Sequence, residues 1–417
     1  MTRTSSFFFV TATCCLACSD PSDSDTSLFS TTEASEIGCP NPALNQPQIA
    51  ANSGEPIWVQ SLGEAPISGI ASDSRGNVLL TRGGETSKLE GDGTPRWSRP
   101  FGSLVAIGPN DSVLVAGTFE GTLAVSTTTS LQSRGARDVY LVELDADGNI
   151  EFAVALGGSE DDALLGLAVD SVGQVAVSGE GLGTIKLDAA GKSAWSRDFF
   201  GHVAFDADGS LLLAGELRGT RDFGGGPLTS RGGADLFVAK LASDGQHIFS
   251  RSFGDVGEQQ RAESIAVDAA GNAVIAGVFD GSVDFGTGAL TLTASSCSSD
   301  AWCNTFGFVA KLDERGEVAW SASLGPMRAL PAAVSDSRGN YVVSGALPGG
   351  VTPFRNSLAL AFDGNGAQLW RRAEWPETGI GSGHALAVDP CDDVLWAVTA
   401  RPNFESGEHS YVAKLSP

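Results

Sequence analysis

Apolar residues along this chain come in short runs rich in Val, Leu and Ala, each cut off by Asp-Gly, Gly-Asn or a similar pair. Such punctuation predicts strands joined by tight turns, because Asp bonds its own backbone and Gly takes positive φ without steric cost. No sustained helical period follows residue 55. Three phrases recur in fixed order. An Ile/Leu-Ala-x-Asp run (70–73, 167–170, 265–268, 386–389) precedes a Val-rich run that follows Gly-Asn (76–80, 271–277, 339–345), and then comes a run ending in Lys-Leu-Asp or a close variant. A fourth run opens on an aromatic anchor: Trp58, Trp97, Phe152, Trp195, Phe249, Trp320 and Trp370. The anchors lie 39 to 71 residues apart, which brackets the ~40–50 residues of a propeller blade.

Four runs per unit, seven units and no helix predict an all-β fold, a seven-bladed β-propeller of four-stranded antiparallel blades. One blade cannot bury both of its faces, and stacking blades around an axis buries them. With strands named a to d outward from the axis, the chain opens on a lone d strand and closes on a lone c strand. The ring is therefore expected to close by pairing residues 57–62 with 410–416, which removes an edge that would otherwise template aggregation. The a–b and c–d turns are short in every unit and belong on one face. Length variation falls in the d–a and b–c loops of the other face: 117–137, 158–165, 215–235, 254–263, 277–307 and 376–384. Unrepeated loops gathered on one face mark a candidate binding side, or else drift in unused loops.

Composition narrows the partners. The chain has 417 residues, with 26 Lys+Arg against 50 Asp+Glu and a formal charge of −24, a sign that repels phosphate backbones and argues against nucleic acid. Four His stand apart (His202, His247, His384, His409), and none forms the paired spacing of a zinc site. The stretch 145–149, DADGN, begins like a calcium loop but lacks the later ligands, so it reads as a turn. Glu160, Asp161 and Asp162 in one variable loop could bind a cation, although clustered carboxylates in so acidic a chain are usually solvated surface. Neither a serine nucleophile elbow nor a Walker phosphate loop is present. No catalytic residue, metal ligand or cofactor is assigned; Glu160, Asp161, Asp162, Trp302 and His384 are the candidate residues of the variable face.

The N-terminus reads as an export signal: Arg3, then an apolar run from Phe7 to Ala17, too short for the ~20 residues that span a bilayer. Its end, Leu16-Ala17-Cys18, resembles the lipobox of bacterial lipoproteins, with Cys15 where that motif usually has Leu. The resemblance implies cleavage after Ala17, lipidation of Cys18, and, with Ser19 rather than Asp next, an outer-membrane address; plain secretion is the alternative. Residues 18–54 then form an acidic, Ser/Thr-rich tether and residues 55–417 the propeller.

The phrases GTRDFGGGPLTSRGGADLFVAKLASDG (219–245) and GSVDFGTGALTL (281–292) resemble the seven-bladed β-propeller repeat (SBBP) family of bacterial exported proteins. That resemblance implies a fold and an exported location but no reaction. More distantly, Leu312-Asp313 through Gly316 to Trp320 is similar to the repeat of quinoprotein-type propellers.

With Cys18 at the mature terminus, four cysteines remain, an even number that suggests two bridges in an exported protein. Cys297 with Cys303, inside the longest insertion, and Cys39 with Cys391 are the expected pairs; four free thiols are the alternative. The column Lys88, Glu143, Lys186, Lys240, Lys311, Ala361 and Lys414 is too regular for a single ligand site. Its expected role is a stem covering the blade with an ammonium on a rim carboxylate. The aromatic anchors should fill the gaps between blades. The resulting functional reading is a monomeric, non-enzymatic binding scaffold for a protein, glycan or envelope component. The alternative is a lyase, hydrolase or quinone-dependent dehydrogenase with a funnel site.

Overall fold

A computed structural model describes residues 54, 56–256, 259–291, 305–347, 357–373, 380–401 and 409–417. The expected signal, Cys18 and the tether as far as residue 53 therefore lie outside the described residues, as do Cys39, Cys297, Trp302 and Cys303.

Seven four-stranded antiparallel sheets follow one another along the chain. Blade 1 is Ile67–Ser72, Val78–Arg82, Glu85–Leu89 and Pro95–Arg99, and blade 2 is Leu104–Ile107, Val113–Ala124, Ser130–Leu144 and Ile150–Leu156. Blade 3 is Gly166–Val169, Val175–Gly179, Gly183–Leu187 and Ser193–Arg197; blade 4 is His202–Phe205, Leu211–Leu217, Asp235–Leu241 and His247–Phe253. Blade 5 is Gln260–Val267, Ala273–Asp280, Thr305–Leu312 and Val318–Pro326, and blade 6 is Ala329–Ser335, Tyr341–Ala346, Ser357–Phe362 and Gln368–Ala373. Blade 7 takes Ile380–Val388, Val394–Arg401 and His409–Leu415 from the end of the chain and Pro56–Gly63 from its beginning. Ring closure runs as expected, with Trp58 opposite Lys414 and Ser61 opposite Tyr411.

The a strands touch in a closed cycle, each against those of the blades before and after it, and blade 7 against blade 1, so they form the inner ring. Space converges there. Two residues before the a–b turn, six blades carry Ala (Ala71, Ala106, Ala168, Ala204, Ala266, Ala387) and blade 6 carries Val334, sizes that let neighbouring blades approach at the axis. The b and c strands carry the core; Val78, Val113, Val175, Leu211, Val309 and Val343 are fully buried.

Turn chemistry explains the punctuation. In both short-turn positions an Asp Oδ1 accepts the backbone N–H groups two and four residues on, as Asp73 does from Arg75 and Asn77, and Asp145 from Asp147 and Asn149. A glycine at positive φ follows, Gly76 at 76° and Gly148 at 83°. DADGN is thus a turn.

Each seam between blades reuses the c–d turn. Lys88 Nζ and Trp97 Nε1 of blade 1 both donate to the carbonyl of Ala146 in blade 2, at 3.1 and 3.3 Å. Blade 3 repeats this with Lys186, Trp195 and Ser243 O, and blade 5 with Lys311, Trp320 and Gly364 O. Two residues further on, the turn glycine lies flat against the indole; a Cβ on Gly148, Gly245 or Gly366 would come within 2.9, 3.0 or 2.7 Å of Trp97, Trp195 or Trp320. The aromatic anchors do fill the seams, but Trp320 is only half-buried there, not enclosed.

The lysines differ from expectation in one respect. For Lys88, Lys240, Lys311 and Lys414 the carboxylate is not at the rim but is the buried Asp that ends the a strand of the same blade, whereas Lys186 donates to the carbonyls of Gly209 and Ser243. Lys88 meets Asp73 at 2.8 Å, Lys240 meets Asp206 at 2.8 Å, Lys311 meets Asp268 at 3.7 Å and Lys414 meets Asp389 at 2.6 Å. Burial pushes the Asp73 carboxyl up, but bonds from Lys88 and Asn77 outweigh that and hold it below its ordinary range. Blade 2 lacks both partners, with Glu143 on the c strand and Gly108 at the turn. Blade 6 has Ala361, and its Asp336 is taken up by Arg338 at 3.0 Å.

Candidate functional site

The face opposite these turns is uneven, and the b–c connection decides its relief. Blades 1 and 3 cross from b to c in tight turns, at Gly83-Gly84 and at Glu180-Gly181-Leu182. Blade 2 instead extends its b and c strands together, so that Thr122, Leu123 and Ala124 pair with Gln132, Leu131 and Ser130. Blades 4 and 5 each insert a small hairpin, Thr220–Asp222 with Pro227–Thr229 and Ser282–Asp284 with Ala289–Thr291.

The Asp-Phe-Gly phrase is the anchor of these hairpins. Asp222 accepts the N–H groups of Gly224 and Gly226, closing the turn, while Phe223 is buried and stacks on Phe237 with centroids 4.6 Å apart. Phe285 does the same in blade 5 between Phe253 and Phe308, at 5.1 and 5.2 Å. Buried aromatic contacts of this kind fix the hairpins to the blade body rather than leaving them loose.

A short blade between two long ones leaves a notch. A cleft of about 500 Å³ opens there, lined by the d–a loop of blade 2 (Gly157, Gly158, Asp162), the b–c turn of blade 3 (Gly181, Leu182, Gly183) and its d strand and following residues (Arg197, Asp198, Phe200). Phe200 is 37% exposed at its edge. Glycine is needed on the walls: a Cβ on Gly181 would lie 2.6 Å from Asp161 O, and one on Gly183 2.2 Å from Arg197 O. Arg197 lies over Trp195 and donates to the carbonyls of Ser196 and Gly245, so its charge is aimed at the seam. Asp198 is paired with Arg221 of the blade 4 hairpin at 3.1 Å.

The three expected carboxylates are split by the structure. Glu160 is exposed; Asp161 is exposed and paired with Arg137 at 2.7 Å; Asp162 is 2% exposed and turned inward. Burial pushes the Asp162 carboxyl up from its ordinary value, aided by the nearby charges of Asp138, Asp161 and Glu160 and opposed by the bond from Gly158 N–H. Asp138, fully buried at the start of the inner part of the blade 2 c strand, was not among the sequence candidates. The signal for it was present: Ser-Arg-Gly-x-x-Asp recurs at 133–138 and 230–235, and in both copies the Asp accepts the N–H of the Arg, at 2.9 and 3.1 Å. His384 is placed within a strand of blade 7, not in a loop, and its side chain is outside the described ones. His202 is buried enough to push its imidazole down to about 4, so it is neutral at physiological pH. Among the described residues, no three or more His, Cys, Asp or Glu gather as a metal-binding group. Cys391 is disulfide-bonded; the expected partner, Cys39, lies outside the described residues.

No family model matches the sequence, the SBBP repeat included, and no curated protein matches it. Among solved structures, the chain is similar to BamB from Moraxella catarrhalis, at 14% identity over 83% of this chain and 85% of that one, with a TM-score of 0.41. The WD40 domain of Neurospora crassa Pan2 aligns at 13% identity over 85% of this chain and 90% of that one, TM-score 0.46. A protein of unknown function from Bacteroides caccae aligns at 11% identity over 64% and 86%, TM-score 0.36. At this level the likeness carries no argument, and the propeller rests on its own seven sheets.

Proposed function

We propose that this chain is an exported propeller, lipid-anchored through Cys18 and monomeric, that acts as a non-enzymatic scaffold binding a protein or glycan through its uneven face. One observation carries the reading. The connections on that face are unequal and firmly packed, and they frame a cleft edged by a part-exposed Phe200. Concave surfaces with an aromatic edge and backbone polar groups are the usual form of a recognition site. The opposite face presents the same Asp-Gly turns repeatedly and offers a partner little to distinguish one blade from another. Export and anchoring rest on the N-terminal sequence, and a bridge from Cys39 to Cys391 would tie the start of the body to blade 7. No particular observation favours the funnel-enzyme alternative.

A photo-crosslinking residue placed at Phe200 is expected to give discrete adducts in cells, and one placed at Asp147 on the turn face none. Equal labelling from both positions would sink the reading of a binding face. Anchoring is tested separately: fatty-acid labelling should be present in the wild-type chain and absent from Cys18→Ser.

A further inference from the structure

We propose that the seam between blades 2 and 3 binds a divalent cation of the calcium type between Asp138 and Asp162, at the floor of the cleft. Both carboxylates crowd the same side of Gly157, which brings them close together: a Cβ there would lie 2.3 Å from Asp162 Oδ2 and 3.1 Å from Asp138 Oδ1. Both residues are almost wholly buried, at 0% and 2% exposure. Asp138 Oδ2 accepts the N–H of Arg134, and Asp162 Oδ2 that of Gly158. Asp138 Oδ1, buried on the Gly157 side that Asp162 Oδ2 also faces, has no hydrogen-bond partner among the described residues.

Charge makes the arrangement unusual for this molecule. Asp73, Asp206 and Asp389 are comparably buried, and each faces a lysine. Of the nearby cations, Arg137 pairs with Asp161 and Arg134 Nη1 donates to the carbonyl of Gly157, and neither forms an ion pair with Asp138 or Asp162 among the described residues. Two unpaired carboxylates in one buried pocket repel each other and lack hydration, so a bound cation would supply what each needs. Both side chains offer oxygen donors, the preference of a hard cation. Water would complete the shell. With two carboxylates the affinity belongs in the range of extracellular calcium modules, Kd on the order of 10⁻⁴–10⁻³ M. Asp162 lines the cleft, which gives the ion a route in from solvent.

The molecule contains its own control. In the blade 4–blade 5 seam Asp235 stands where Asp138 does, with the same unpartnered Oδ1, and Gly254 stands where Gly157 does. Gln260 replaces Asp162 there; each donates its N–H to the carbonyl preceding the paired Asp, Ala234 O at 2.9 Å and Arg137 O at 2.8 Å. There the Gln260 amide stands in place of the second carboxylate and its Nε2 donates to Asp255 Oδ1 at 3.5 Å, so the same pair of carboxylates is not formed and that seam should not hold the ion.

Calcium titration of the full chain, read by calorimetry and by thermal melting against EDTA, tests the assignment. The wild type should show a saturable heat and a rise in Tm of about 1–3 °C at calcium well above Kd. Asp138→Asn and Asp162→Asn, each checked for a native circular-dichroism spectrum, should lose at least about tenfold in affinity, as removal of a charged ligand does. Asp235→Asn should bind like the wild type. An absent calcium response in the wild type would overturn the assignment. So would equal responses in all three variants, or an equal rise in sodium chloride of matched ionic strength, either of which means screening of the acidic surface only.

Discussion

The two faces of this ring are built on opposite rules. On the turn face, the same parts recur from seam to seam: an Asp-Gly turn, a glycine under an aromatic ring and, in blades 1, 3 and 5, a lysine donating to the next blade's carbonyl. On the other face the connections differ, tight turns in blades 1 and 3, extended strands in blade 2 and hairpins in blades 4 and 5, and the cleft exists because blade 3 lacks what blades 2 and 4 have. A device repeated around the ring answers a packing need that every blade shares, whereas one ligand touches each blade differently. Function is therefore sought where the repetition fails.

Four substitutions can break or sharpen this contrast. Lys88→Met leaves Asp73 charged in a fully buried site, and it should cost ~3–5 kcal/mol in chemical denaturation. A loss under about 1 kcal/mol would mean that the turn-face ion pairs are ornamental. Next, Phe223→Ala empties a buried ring position beneath the blade 4 hairpin and should cost ~3 kcal/mol. If stability is unchanged, the uneven face is not pinned to the body. Trp320→Ala removes a half-buried ring, so about 2 kcal/mol is expected, less than for an enclosed Trp. A loss matching that of Lys88→Met would show that the half-buried indole contributes as much as the buried ion pair.

The smallest effect concerns pH. Asp393 lies beside Asp389 and Lys414, and burial followed by the Asp389 charge pushes its carboxyl up to about 6. A carboxyl raised on folding binds more protons folded than unfolded, so its contribution to stability falls as pH rises from about 4 to about 6. Asp393→Asn should therefore gain about 1 kcal/mol at pH 7, after allowance for solvent screening, and gain nothing below pH 4. Melting curves across that range decide the matter; a gain that persists at low pH would assign the effect to packing.

The ring was legible because its signals are local. Asp, Gly and the aromatic anchor act within a few residues of one another, and their period counts the blades without reference to the folded state. The lysine partner was harder: Asp73 and Lys88 lie in one blade but on strands a and c, and only the folded sheet brings them together. The cleft left almost no trace, because it is made by a missing insertion. Glu160, Asp161 and Asp162 are indistinguishable as a string, yet one faces inward and two outward, a difference set by the Asp162 N–H bond to Arg137 O. Asp138 could have been found by matching its phrase to the one ending in Asp235.

Closure of blade 7 has a kinetic consequence. Pro56 pairs with Leu415, so the first strand of the body is synthesised long before its partner exists. Blades 1 to 6 can form as the chain lengthens, each from neighbouring segments, but the circle stays open until the final strand arrives. Such a distant contact makes sealing the ring the slow, late event of folding. During that interval the strand Pro56–Gly63 presents unsatisfied backbone and two exposed apolar side chains, Ile57 and Val59, to any other chain nearby. The risk of two unfinished molecules exchanging this strand is thus set by how long the last blade waits.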